Sequence, residues 1–179
     1  DAWAALFLRH AGLDPFAASD RALAERAAAI AGDGARGWAR DELLDLLFSE
    51  LVEPRLGRDC LQFVDAFPAA RASLARTTRD AAGNPVADRF ELFIDGWEIA
   101  NGYNELCDAG ELRRRMEADN RQRAARALPG VPPDERLLAA MAHGLPECAG
   151  VALGVDRLVM IALGAAHIDE VVAFSAPRA

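Results

Sequence analysis

Lysine is missing from this chain of 179 residues, so its 20 lysine-or-arginine positions are all arginine. No single face collects them, and the absence reads as coding bias. Cysteine is scarce as well: Cys60, Cys107 and Cys148 are far apart and odd in number. No pair has CxxC spacing, which excludes a cysteine zinc site and a disulfide framework. Idle thiols in a reducing, cytoplasmic compartment are expected. His10, His143 and His167 form no ligand pattern. No uninterrupted apolar run is long enough to span a bilayer, so no membrane segment is expected. Basic excess is lacking too, with a formal net charge of −8. That argues against nonspecific nucleic-acid binding, which needs a cationic surface. The first residue is Asp1, and no secretory leader pattern follows it.

What is present is enough apolar material for a core, 52% of the chain. Trp3, Leu6, Phe7 and Ala11 fall at helical spacing, and Asp14-Pro15 ends that element. Ser19 or Asp20 caps a second helix carrying Leu23, Ala27 and Ile30, stopped by Gly32-Asp33-Gly34. A third helix starts near Asp41, carries Leu43, Leu44, Leu47 and Leu51, and stops before Pro54. The period then changes. CLQFVDAF, 60 to 67, reads as a strand. Residues 71 to 88 are polar, hold Gly83-Asn84-Pro85 and read as a loop. RFELFIDG, 89 to 96, alternates Phe90, Leu92 and Ile94 with a polar-leaning face of Glu91, Phe93 and Asp95. Asp95-Gly96 then turns the chain into WEIANGYNEL, 97 to 106, giving an antiparallel hairpin.

Asp108 and Glu111 have capping-box spacing and open a helix that runs to about Leu128. Its arginines read as a solvated face, or alternatively as a docking face for an acidic partner. Pro132-Pro133-Asp134 opens a further helix that ends at Gly144. A strand and a helix meet at Gly154. Four segments follow: helical over 1–57, strands over 58–107, a helical insertion over 108–146, and a strand–helix unit over 147–179. Hairpin-linked strands with inserted helices predict an α+β fold with an antiparallel sheet. The glycines at 150 and 154 lack GxGxxG spacing and a βαβ setting, so a dinucleotide fold is not indicated.

Chemistry concentrates at two places. Glu98 and Glu105 are seven apart, which puts them on opposite faces of a regular strand. A bulge at Asn101-Gly102 would bring both to one face. Together they would then hold Mg²⁺, or one would meet a substrate ammonium; the plain alternative is two exposed strand acids. Arg157 sits in the first turn of an apolar helix, where the helix dipole opposes a cation. It is either a surface arginine or aimed at an anion at that helix end. Gly154 would let a phosphate or a flat ring approach the backbone. Pattern alone gives a possible nucleotide site and no substrate.

GVALGVDRLVMIALGA, 150 to 165, resembles motif 3 of class II aminoacyl-tRNA synthetases, and FELFIDGWEIANGYNEL, 90 to 106, resembles the strand pair of the lysyl branch. DNRQRAARALP, CAGVALGVDR and the terminal VVAFSAPRA are most similar to the branch's paralogs that pass β-lysine to elongation factor P. The resemblance is strong from about residue 60 onward. It implies a class II antiparallel sheet flanked by helices, incomplete here, and attack of an amino-acid carboxylate on the α-phosphate of ATP. It implies ATP contacts at Glu98, Ile99, Gly154 and Arg157, with Arg157 the catalytic residue gripping the terminal phosphates. Asn101, Glu105 and Ala152 would line the amino-acid pocket, and Glu98 with Glu105 would share Mg²⁺. Asp156 is left as a helix-start acid. The implied substrate is lysine or β-lysine, the acceptor elongation factor P or alternatively tRNA, and the full-length assembly a homodimer. Asn104 departs from the His or Ser of many relatives, and Ala152 replaces a glycine usual in true lysyl-tRNA synthetases. Motifs 1 and 2 are not found, so these residues are expected to be the C-terminal part of a catalytic domain, inactive alone. A short non-catalytic binding module is the remaining alternative.

Overall fold

The computed structural model describes residues 1–175, so the last four positions of VVAFSAPRA lie outside the described residues. Helix α1, Trp3–Ala11, buries Trp3, Leu6, Phe7 and Ala11 on one stripe and ends at Gly12 in the left-handed region. In α2, Asp20–Ala31, Ser19 accepts a hydrogen bond from the Ala22 N–H, satisfying one of the donors a helix start leaves open. Helix α3, Arg40–Leu51, buries Leu43, Leu44, Leu47 and Phe48. Arg40 ties α3 to the turn before α2 through the carbonyls of Pro15 and Ala18 and the Asp20 carboxylate.

Four strands pair in the spatial order β1-β3-β4-β5, all antiparallel. They are β1 Gln62–Pro68, β3 Pro85–Ile94, β4 Trp97–Asn104 and β5 Ala149–Leu153. A short strand, β2 Thr77–Arg79, pairs with the start of β3. The segment 71–88 is therefore partly sheet rather than loop. Asp80 explains this: its carboxylate accepts the N–H groups of Ala82 and Asn84 and closes a tight hairpin. Three polar residues carry no alternation from which β2 could be read. The β3–β4 turn is as expected, with Asp95 and Gly96 both at positive φ, 49° and 81°, the backbone a two-residue type I′ turn requires.

The helices α1–α3 cover one face of the sheet. Trp3 stacks between Phe7 and Phe48, with ring centroids 4.9 Å away on each side, and tilts onto Phe67 of β1 at 6.4 Å. Val64, Phe67 and Phe93 belong to this core. The covered face is the one that reads as polar-leaning in the sequence: Glu91 and Phe93 are buried there, while Phe90 and Leu92 lie on the half-exposed side. On that outer side the Phe90 ring lies against Gly102, where an added Cβ would meet ring carbons at 2.4 and 2.5 Å. Gly102→Ala is expected to cost about 1–3 kcal/mol through overpacking. A urea titration checks it, and an unchanged midpoint would show that Phe90 moves freely.

Helix α4, Ala109–Ala125, begins at Asp108, whose carboxylate accepts the Glu111 N–H at 3.0 Å. Helix α5, Glu135–His143, is capped by Asp134 in the same way. Leu106, Leu112 and Leu138 make a second, small core between them. The arginines of α4 are largely engaged within the chain. Arg113 forks onto Glu135, Arg115 holds the carbonyls of Ser73 and Ala75, Arg123 holds that of Pro129, and Arg126 meets Glu42. A face so occupied reads as structural rather than as a docking stripe. Helix α6, Val155–Leu163, follows β5 directly and ends at left-handed Gly164. No helix among the described residues is long and apolar enough to cross a membrane.

Candidate active site

The strand β4 organises the site. Its ladder with β3 runs regularly from Tyr103 back to Ala100, then skips: Leu92 faces Ala100 and Phe93 faces Glu98. Ile99 is the extra residue of a bulge. The bulge thus lies before Asn101-Gly102, where the sequence suggests it, and Gly102 is in regular register with Phe90 and Val151. The extra residue turns Glu98 onto the face of Glu91 and Asn101. One Asn101 amide group donates to both carboxylates, at 3.3 Å each.

The strand–helix junction at Gly154 closes this end. The Gly154 N–H donates to the Ile99 carbonyl at 2.8 Å, so the bulge residue itself holds the junction. Arg157 reaches back from α6, and its guanidinium donates to the Glu98 carbonyl at 2.6 Å. That bond explains an arginine in a first helical turn: it is directed across to β4. A cavity of about 360 Å³ opens here, lined by Glu98, Ile99, Asn101, Ala152, Gly154 and Arg157. Gly154 has ordinary negative φ, and the nearest atoms an added Cβ would meet are Ile99 O at 3.6 Å and two Arg157 carbons at 3.8 Å, ordinary contact distances. The protein's own packing does not require glycine there; a group lying in the cavity against the backbone would.

Glu105 sits at the other end of β4. Seven residues along a strand place it roughly 20 Å from Glu98 along the backbone. It lines a different cavity, of about 260 Å³, with Leu74, Leu106, Leu112, Leu137 and Met141. Its carboxylate lies over Gly150 of β5. The structure therefore does not bring Glu98 and Glu105 together around one ion. The physical reason is distance: the bulge corrects the face and leaves the separation. The acid beside Glu98 is Glu91, on the neighbouring strand. Among the described residues no group of three or more His, Cys, Asp or Glu is spaced for a metal. The two carboxylates and the buried, unpartnered Asn101 Oδ1 still form an all-oxygen set of the kind Mg²⁺ accepts, since it keeps several waters and shares substrate phosphates.

Glu91 is the residue that sequence reasoning missed. It is 7% exposed, and Arg89 on the same strand face donates to it. Arg89 is in turn sandwiched over the rings of Phe67, at 4.5 Å, and Tyr103, at 5.6 Å. Burial pushes the Glu91 carboxyl up to about 7; Arg89 opposes the shift, and the nearby charges of Glu98 and Glu53 add to it. Glu53, just past α3, is raised for the same reasons, burial first and then Glu98, with Arg157 opposing. Three carboxylates, Glu53, Glu91 and Glu98, are thus gathered at this end of the sheet.

A stability slope follows. A raised carboxyl binds its proton more tightly folded than unfolded, so its contribution is full below the unfolded value of 4.5 and is lost as pH rises to about 7. In divalent-free buffer, stability is expected to fall across that window by an amount on the order of 3 kcal/mol. Glu91→Gln is expected to flatten the slope. Thermal unfolding at a series of pH values checks this, and an identical slope in the variant would contradict it.

Residues 52–178 match the profile of the tRNA synthetases class II (D, K and N). The chain belongs to this family. Within the class II family, similar proteins include the elongation factor P–(R)-β-lysine ligase of Pectobacterium carotovorum, 54% identical over 175 residues, and that of Salmonella typhi, 49% identical over 175. The alignments cover 97% of this class II chain and 53% of each relative. The chain thus spans about half the length of the curated relatives it matches. The two signals that could have exposed Glu91 in this class II sequence are the Arg89–Glu91 spacing of two, which puts both on one strand face, and the unusual position of an acid between Phe90 and Leu92.

Proposed function

We propose that these residues form part of an adenylate-forming site that activates (R)-β-lysine with ATP and passes it to a lysine of elongation factor P. The observation that carries the reading is 49–54% identity to ligases of that name along nearly the whole chain. The site's chemistry supports it. A carboxylate oxygen of the amino acid attacks the α-phosphorus of ATP, the bond to the β-phosphate oxygen breaks, and pyrophosphate leaves. The acceptor amine then attacks the acyl carbon and AMP leaves.

In this reading Arg157 grips the terminal phosphates with the planar fork that suits them. Gly154 and the Ile99 backbone lie against the nucleotide. Glu98 and Glu91, rather than Glu98 and Glu105, hold Mg²⁺, which supplies neutralisation of phosphate charge. Asn101 and Ala152, opposite each other in the β4–β5 register, line the amino acid. Glu105, in its largely apolar surroundings, takes the side-chain ammonium while the aliphatic carbons lie along the sheet. In this reading the protein is cytoplasmic and the full-length assembly is a homodimer; exposed Val151, Val155 and Leu163 on edge strand β5 and on α6 are an apolar surface that the remainder of the catalytic domain covers.

The second reading is a true lysyl-tRNA synthetase, favoured by the breadth of the family profile. Ala152 in place of glycine argues for the first, because its methyl narrows the amino-acid cavity. Incubation of the full-length protein that contains these residues with ATP, Mg²⁺ and (R)-β-lysine, in the presence of either elongation factor P or tRNA, separates them. Acylated factor and uncharged tRNA is the expected outcome; charged tRNA alone would select the second.

A further inference from the structure

We infer that Gly150 is a positioning residue for the Glu105 carboxylate, and so a determinant of how the site selects an ammonium-bearing substrate. The inference deepens the proposed function and rests on Glu105 being the ammonium acceptor. Gly150 lies inside β5, paired with Tyr103 of β4. Its backbone is not in the left-handed region, so conformation does not call for glycine. Glycine inside a strand weakens the strand, so its presence there needs a packing reason.

A Cβ built on Gly150 would meet Glu105 Oε1 at 2.4 Å and its carboxyl carbon at 3.5 Å, and no other group within 4 Å apart from its chain neighbours. The carboxylate alone occupies the space of the missing methyl. Two residues along the same strand face, Ala152 does carry a methyl, opposite Asn101. The backbone of Glu105 is fixed: its N–H donates to the Cys148 carbonyl at 2.9 Å, and its own carbonyl accepts from Arg76 at 3.0 Å. No arginine or histidine among the described residues pairs with the carboxylate, so its position is set by shape and its charge stays available to a ligand. A methyl at 150 would push the flexible carboxyl tip aside at little cost to the fold. It would remove the acceptor from the place where an ammonium is met.

The test is a double-mutant cycle on the full-length protein that contains these residues, with wild type, Gly150→Ala, Glu105→Gln and both changes together, read by calorimetric binding of L-lysine, (R)-β-lysine and norleucine. Norleucine has the aliphatic chain and lacks the side-chain ammonium. Gly150→Ala is expected to weaken lysine and β-lysine by about tenfold, the scale of one displaced charge-assisted bond. Norleucine binding and the melting temperature stay unchanged or rise, and the loss disappears in the Glu105→Gln background. Equal loss for norleucine, or an undiminished loss in that background, would overturn the role of Gly150. A crystal structure of Gly150→Ala decides the same point without a ligand: the carboxylate is expected off the face of residue 150, and an unmoved carboxylate overturns the inference. Wild-type protein that binds neither lysine nor β-lysine would instead count against the ammonium role of Glu105, while the displaced carboxylate would still be read from the structure.

Discussion

In the full-length protein, Arg157→Ala is expected to lower ATP-dependent adenylate formation by about 10²–10³-fold, the usual effect of removing one preorganised donor from a charge-developing centre. The side chain has one donor committed to the Glu98 carbonyl at 2.6 Å and stands 43% exposed at the cavity mouth. The rest of its fork is open to phosphate oxygens. Arg157→Lys keeps the charge and loses the fork, so it should recover only part of the rate. The same variant removes the tie between α6 and the bulge, and a modest drop in melting temperature is expected beside the loss of rate. Amino-acid-dependent exchange of labelled pyrophosphate into ATP measures the first effect. A rate unchanged by Arg157→Ala would remove Arg157 from the site.

Trp3→Ala is expected to destabilise the fold by about 3–5 kcal/mol. The indole is fully buried, stacked on Phe7 and Phe48, and reaches Phe67 on the sheet. It also lies under the Arg71 guanidinium, 5.4 Å from the ring centroid. Its removal leaves a void between the helices and the sheet face that carries Glu91. Part of the cost is offset, because the indole N–H is buried without a partner and that penalty goes too. Trp3→Phe keeps the stack and should cost far less. Equilibrium denaturation of both variants separates lost stacking from lost volume; equal midpoints for Trp3→Ala and wild type would mean the helical layer is not part of the cooperative unit.

How much of this could be read from the sequence depends on what each element offers locally. The helices α1 to α3 advertise themselves by stripes such as Trp3, Leu6, Phe7 and Ala11 and by caps such as Ser19. The Asp95-Gly96 turn and the Asp108–Glu111 cap are equally local. The strand β2 has no such signature, since Thr77, Thr78 and Arg79 are polar and exposed and pair only because Asp80 closes the turn beyond them. The sequence points to a bulge at Asn101-Gly102, yet Ile99 carries it, held by Gly154 from another strand end. Glu91 reads as part of a polar face because its neutralising partner, the stacked Arg89, is a tertiary arrangement. The neighbour of Glu98 is likewise tertiary: it shares the Asn101 amide with Glu91 of the adjacent strand and lies far from Glu105 along its own.

The most direct measurement is the mass of elongation factor P after incubation with the full-length protein that contains these residues, ATP, Mg²⁺ and (R)-β-lysine. The expected result is one added β-lysyl group on a single lysine of the factor, dependent on ATP and abolished by Arg157→Ala. An unmodified factor, under conditions where the same preparation charges tRNA, would contradict it.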